Sequence, residues 1–188
     1  MPTLKTALKR TWRIAKRVLL VILAPFVLGY LLPQIWTNPV AGMNDSSYNH
    51  ESFWYYPWGK SGTHKGIDIF ASQGTEVRAS TYGLVVACGN NGRGGNFVLT
   101  LGPKWRFHYY AHLHTIETSK FSWVSSGERI GSVGNTGNAA GKPHHLHYTI
   151  STPIPYPWRI DGSVQGWRKM WFLNPIDYLD HDEAGDGD

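Results

Sequence analysis

The longest uninterrupted apolar stretch of the chain is VLLVILAPFVLGYLLPQIW, positions 18–36, and it carries no charge. As a helix it would measure about 28 Å, close to the roughly 30 Å hydrocarbon core of a bilayer. Pro25 and Pro33 predict a kink or an end, which membrane helices tolerate better than soluble ones. From residue 63 the pattern changes to short runs that read as strands: 65–70, 76–79, 83–88, 96–101, 105–112, 129–133 and 145–151. Turn signals separate them at Asn90-Asn91-Gly92, Gly94-Gly95, Ser126-Gly127 and Asn135-Thr136-Gly137. Many short strands with few helix signals predict an all-β domain. The expected form is an antiparallel β-sheet or partial barrel with long loops around a cleft, preceded by one N-terminal transmembrane helix.

The chain therefore divides into a basic tail (1–17), the span (18–36), a linker that becomes an ordered loop near Phe53-Trp54-Tyr55-Tyr56 (37–62), the β domain (63–180) and a small acidic tail (181–188) expected to be disordered. After residue 151 proline and aromatic residues dominate, from Pro153 and Pro155 to Trp171 and Phe172. Such a segment suits a loop wall beside a cleft, and equally a cover over the sheet.

Charge refines this division. A formal net charge of +5 first points to a nucleic-acid partner. Six of the 18 basic residues (Lys5, Lys9, Arg10, Arg13, Lys16, Arg17) precede position 18 with no acid among them, leaving 12 basic against 13 acidic residues elsewhere. The basicity belongs to the tail, so no nucleic-acid surface is expected on the domain. The same six residues predict a cytoplasmic tail, with the domain on the far side of the membrane. Val40-Ala41-Gly42 is a weak small-residue site at which a signal peptide would instead be cut. The single cysteine, Cys88 in an apolar run, permits no intramolecular disulfide and reads as a buried strand residue. The exported domain must then rely on its core or on a metal.

The candidate chemistry lies among nine histidines. In His145-Leu146-His147 the two imidazoles share one face of a strand while Leu146 points into a core. They would sit about 7 Å apart along the strand. One can act as a metal ligand while the other stands as a base beside the reacting water. Upstream, His64-Lys65-Gly66-Ile67-Asp68 sets an imidazole and a carboxylate four residues apart. Zinc accepts both, and a catalytic zinc site uses three protein ligands with a fourth position open. Gly66 disfavours a helix there and permits close backbone approach. In Phe107-His108-Tyr109-Tyr110-Ala111-His112, regular alternation puts His108, Tyr110 and His112 on one face. The glycine-rich run 134–141 lacks the GxxxxGK[ST] pattern of a phosphate cradle. It reads as a turn aiming the His145–His147 strand.

Taken in order, these pieces resemble the lysostaphin-type zinc endopeptidases, which hydrolyse peptide bonds in bacterial peptidoglycan. The resemblance runs over about 63–150 through His64-x-Gly66-x-Asp68-Ile69, Gly74-Thr75-x-Val77-x-Ala79, Gly83-x-Val85, Tyr110-Ala111-His112-Leu113, Gly131-x-Val133-Gly134-Asn135-Thr136-Gly137-Asn138 and His145-Leu146-His147-Tyr148. It echoes again at Asn174-Pro175. The resemblance implies one Zn2+ per chain, with His64, Asp68 and His147 as metal ligands and His112 and His145 as catalytic residues beside the reacting centre. With the uncharged run 18–36 and its basic flank, the expected setting is a single-pass protein of the bacterial cell membrane, its domain on the extracytoplasmic side. The expected partners are peptidoglycan stem peptides or cross-bridges. No protein partner leaves a mark. Tyr148 stands where phenylalanine is common, Thr149 where an acid is frequent, and Lys142-Pro143-His144 replaces a shorter approach. None of these removes a ligand.

On that resemblance zinc acidifies its water, one histidine, His145 in the first reading, accepts the proton, and the other, His112, stabilises the oxyanion; the sequence does not fix which of the two is the base. The alternative is a non-enzymatic module of the same fold that binds the wall or activates another hydrolase. Such a module would be expected to lack site residues, whereas all five are in place. A fourth ligand from Asn44, Asn49 or His50 would make the resting site latent.

Overall fold

The structure, a computed structural model, describes residues 4–179, so the acidic tail 181–188 lies outside the described residues. The chain forms two compact units that divide between Pro33 and Gln34.

The first unit is helix α1 (Leu4–Leu31), which passes through Pro25. Its Lys9–Leu31 portion, 23 residues, is long and apolar enough to cross a membrane by length and composition. At 1.5 Å per residue it measures about 34 Å. The helix stops just short of Pro33, where the residue preceding a proline is biased out of the α region. The last part of the uncharged run 18–36 falls in the second unit, where Trp36 stacks on Tyr178 at 4.6 Å between ring centroids.

The second unit is antiparallel β. Its strands are β1 (Ile67–Phe70), β2 (Glu76–Arg78), β3 (Gly83–Asn91), β4 (Gly95–Leu101), β5 (Phe107–Leu113), β6 (Thr115–Ile116), β7 (Trp123–Val124), β8 (Arg129–Ser132), β9 (His145–Ser151) and β10 (Phe172–Leu173). Seven form one sheet in the order β1-β9-β5-β4-β3-β7, with β10 also on β9, and the other three form a second sheet in the order β2-β8-β6. Seven of these strands, β1 to β5, β8 and β9, match the seven expected runs, and the two-residue strands β6, β7 and β10 were not expected. They form because β-branched and aromatic residues alternate with polar ones on a half-buried pleat.

That alternation assigns the faces. Ile67 and Ile69 of β1, and Leu146, Tyr148 and Ile150 of β9, are essentially fully buried in the core. Each such side chain stabilises the fold by roughly 1.5–3 kcal/mol relative to exposure. Asp68 and His147 lie directly opposite each other in the β1–β9 register, as do Phe70 and His145. On the other side of β9, Ala111 faces His147 and Tyr109 faces Thr149. The reactive face of β9 therefore looks away from the core, between two paired neighbours.

Residues 37–62 run along the sheet edges. The Arg78 amide donates to the Pro39 carbonyl at 2.9 Å, Val40 bridges Val77 and Tyr48 bridges Ile69. Val40, Met43 and Tyr48 join the core. Main-chain pairing orders this segment, which explains why it shows no side-chain periodicity.

Candidate metal centre

The site is built on β1, β9 and the end of β5. His64 Nε2 lies 3.1 Å from Asp68 Oδ1 and 3.1 Å from His147 Nδ1. His147 Nδ1 lies 2.8 Å from Asp68 Oδ1. The ligand atoms of His64, Asp68 and His147 all fall within 4.8 Å of one another. His145 Nε2 is 3.9 Å from Asp68 Oδ2. The His112 ring centroid is 5.1 Å from that of His145 and 5.9 Å from that of His147. All five expected side chains thus converge.

The outward nitrogens of the four imidazoles are also held. His64 Nδ1 donates to the Ser52 carbonyl at 2.9 Å, His112 Nδ1 to the Thr136 carbonyl at 2.9 Å, and His145 Nδ1 to the Pro143 carbonyl at 2.8 Å. A carbonyl only accepts, so each of these nitrogens carries the proton. The neutral rings then present the Nε2 lone pair inward. His147 is held by Thr149 Oγ1, 3.1 Å from its Nε2, which leaves Nδ1 facing Asp68. Metal-binding histidines are commonly oriented in this way by a partner on the far nitrogen.

The donor set fits a cation. The lone pair of His64 Nε2 faces a carboxylate oxygen at 3.1 Å, two acceptors that repel unless positive charge lies between them. Burial would raise the Asp68 carboxyl, but its contacts with His147 and His64 outweigh that and hold Asp68 well below the carboxylate range. Loss of hydration lowers His147 despite Asp68. Burial, reinforced by the charge of His147, lowers His112 to about 4. Two imidazoles and a carboxylate are zinc donors, and a three-ligand set leaves a position open.

His112 reaches the site by a route that corrects the sequence expectation. Alternation predicted that it would share a face with His108 and Tyr110. Those two point into the core, where His108 Nδ1 meets the Tyr148 hydroxyl at 2.7 Å and the Ser80 amide donates to the Tyr110 hydroxyl at 2.8 Å. His112 instead lies on the opposite face, with Tyr109 and Ala111. The cause is a β-bulge: between Val98 and Asn96 of β4, strand β5 advances from Tyr110 to Leu113. His112 takes the left-handed backbone (φ 64°). One extra residue flips the side-chain face.

The segment 37–62 supplies no ligand. Asn44 caps the turn Asp45–Ser47, Asn49 Oδ1 accepts from the Glu51 amide, and His50 packs on Tyr48. Among the described residues the histidine, cysteine and carboxylate group able to hold a metal is His64, Asp68 and His147, and the side-chain oxygens of Asn44 and Asn49 are engaged by amides of their own loop. The segment contributes something the sequence analysis missed. Beyond the Ser52 carbonyl, Trp58 stacks on the His64 ring at 4.0 Å. Thr149 was legible in principle, being two residues beyond His147 and so on the same strand face. A cleft of about 560 Å³ opens over these groups, with Phe70, Arg93, Tyr109 and Lys142 also in its wall.

An antiparallel sheet carrying a His/Asp/His donor set, with two further imidazoles facing a peptide-sized cleft, defines a domain of metallopeptidase type. Residues 62–156 match peptidase family M23, and the chain belongs to that family. It is 38% identical over 145 residues to an L-Ala--D-Glu endopeptidase of Bacillus subtilis, covering 71% of this chain and 40% of that protein. It is 39% identical over 87 residues to the peptidoglycan DD-endopeptidase ShyA of Vibrio cholerae, covering 46% of this chain and 20% of that one. The chain thus spans less than half the length of these curated relatives. The catalytic domain of lysostaphin from Staphylococcus simulans superposes with a TM-score of 0.55 at 25% identity, covering 71% of this chain and 92% of that domain.

Proposed function

We propose that the protein is a zinc-dependent endopeptidase that hydrolyses peptide bonds in bacterial peptidoglycan. The observation that carries this is the convergence of four oriented imidazoles on Asp68 at the floor of a cleft. Relatives that act on L-Ala--D-Glu and DD bonds support the substrate class. His64, Asp68 and His147 are the metal ligands. When bound, zinc would acidify a water and polarise the scissile carbonyl. His145, its Nδ1 fixed by Pro143, turns the Nε2 lone pair to the cleft and takes the proton of the attacking water. The same nitrogen then passes the proton to the leaving amine. His112 has the same polarity, held by Thr136. It would stabilise the developing oxyanion only by taking up a proton from solvent at Nε2, against the burial that lowers its imidazole.

In this reading α1 is a retained anchor, with the part of the uncharged stretch that lies in the helix, up to Leu31, marking the membrane. The basic residues 1–17 stay in the cytoplasm and the domain of 63–180 works outside it. Resistance of the chain to carbonate extraction, with the domain protease-accessible from the outer side, would support that topology. The non-enzymatic alternative is disfavoured because no site residue is missing. The direct test of the activity is mass spectrometry of soluble products from purified peptidoglycan, run with the zinc-loaded chain and a chelated control. Chelator-sensitive release of fragments with new amino termini supports the peptidase. Absence of release from a chain holding one tightly bound zinc overturns it.

A further inference from the structure

A second cavity, of about 700 Å³, adjoins the metal cleft, and Ser61 and Arg93 line both. Its wall carries four cations, Lys60, Lys65, Arg93 and Arg168, together with Trp167 and Trp171, and no carboxylate. Among the described residues none of the four cations belongs to an ion pair. Their neighbour Lys169 does, with Asp161, so the segment has acids to offer but directs them elsewhere. Lys65 is locked in place. Its ammonium donates to the Ser61 carbonyl at 2.9 Å and to Gln165 Oε1 at 2.9 Å. These are neutral acceptors, so its charge stays uncompensated. The wall is firm: Trp54 Nε1 donates to the Val164 carbonyl at 3.0 Å, tying the aromatic segment 153–172 to the loop before β1. Arg168 lies over the Trp167 ring at 5.0 Å. Like charges gathered in a concave site without counter-charge are arranged for an anion.

We propose that this cavity is a subsite for a free carboxylate of the substrate peptide, so that the enzyme acts on acidic stem peptides in preference to neutral glycyl bridges. The inference rests on the peptidase reading and specifies its substrate. Shared walls at Ser61 and Arg93 place the carboxylate on the same peptide that crosses the metal cleft. The guanidinium of Arg168 offers paired donors to it, and the tryptophans cover the apolar part of the same residue.

The test compares an acidic stem peptide with its fully amidated twin. Binding to the zinc-loaded chain is measured by calorimetry, and cleavage of both peptides by mass spectrometry. The acid should bind about ten- to hundredfold tighter than the amide, with the difference shrinking in high salt. Arg168→Glu, on an exposed residue, should abolish the preference, and Lys60→Glu should reduce it. Equal affinity for acid and amide, alongside normal cleavage, would overturn the subsite and leave the peptidase standing. A preserved preference that Arg168→Glu removes, with neither peptide cleaved, would support the subsite while the peptidase reading failed. Equal peptide affinities, with Lys60- and Arg168-dependent sedimentation on phosphatidylglycerol vesicles, would assign the cavity to lipid and refute the proposal.

Discussion

Behind the reactive face of β9, His108 offers a quantitative test of how the core is assembled. It is fully buried, meets the Tyr148 hydroxyl at 2.7 Å and lies against the edge of Trp36. Burial, with the charge of Arg106, lowers its imidazole from 6.5 to about 3. The unfolded chain therefore binds a proton in that interval and the folded chain does not. The contribution of His108 is fully present above pH 6.5 and is lost as pH falls towards its folded value. At roughly 1.4 kcal/mol per pH unit, a folded and unfolded difference of this size implies about 5 kcal/mol at full protonation. At about pH 4.5 the loss is about 2.7 kcal/mol, and it is nearly the same for any folded value below about 4. His108→Phe keeps a ring against Tyr148 and Trp36 but cannot titrate. Urea unfolding of the chelated chain in non-ionic detergent, followed by near-ultraviolet circular dichroism, would compare both proteins at about pH 7.5 and about pH 4.5. Other titrating groups are common to both and cancel in the difference. The wild type should lose about 2.7 kcal/mol more than the variant. An equal loss in both would show that His108 is not held neutral in the fold, and the account of this core would fail.

Thr149→Val removes the partner of His147 Nε2 without changing side-chain size, and zinc affinity should fall about 10- to 100-fold in a chelator competition titration. An unchanged affinity would mean that Thr149 does not orient the ligand. Gly66→Ala would bring a methyl group into the Tyr148 carbonyl and the Thr149 hydroxyl. The lead into β1 must then move off β9, lowering stability by about 1–3 kcal/mol and weakening zinc binding. A melting temperature equal to wild type would contradict that close approach. His64→Ala and Asp68→Ala should lose zinc and turnover together, by elemental analysis and peptide cleavage. His145→Ala should keep zinc and lose turnover, and near-normal turnover in that variant would show that His145 is not the base.

The parts of the site that the sequence made legible are those governed by regular alternation. Asp68, His145 and His147 lie on β1 and β9, whose pairing is in register throughout. A two-residue period therefore carried all three to one face without further information. His112 broke the rule because alternation assumes an unbroken ladder, and the extra residue beside Phe97 exists only in the pairing of β4 with β5. A single strand read by itself contains no sign of that mismatch. The glycines nearby gave a partial signal. Gly137 has φ 68°, and a Cβ there would strike the backbone of Gly95. This close approach packs the 134–141 turn against β4, and the neighbouring Thr136 carbonyl receives His112 Nδ1. The turn thus aims His112 as well as the strand it precedes. The carbonyls of Ser52, Thr136 and Pro143 were illegible for a different reason. Every residue has a carbonyl, so no side-chain identity marks the ones that hold an imidazole. Orientation of the histidines therefore depends on backbone placed by the fold, while their identity is written in the sequence. Substitutions of the residues supplying those carbonyls should accordingly be tolerated wherever the backbone path is kept, in contrast to any change at the five converging side chains.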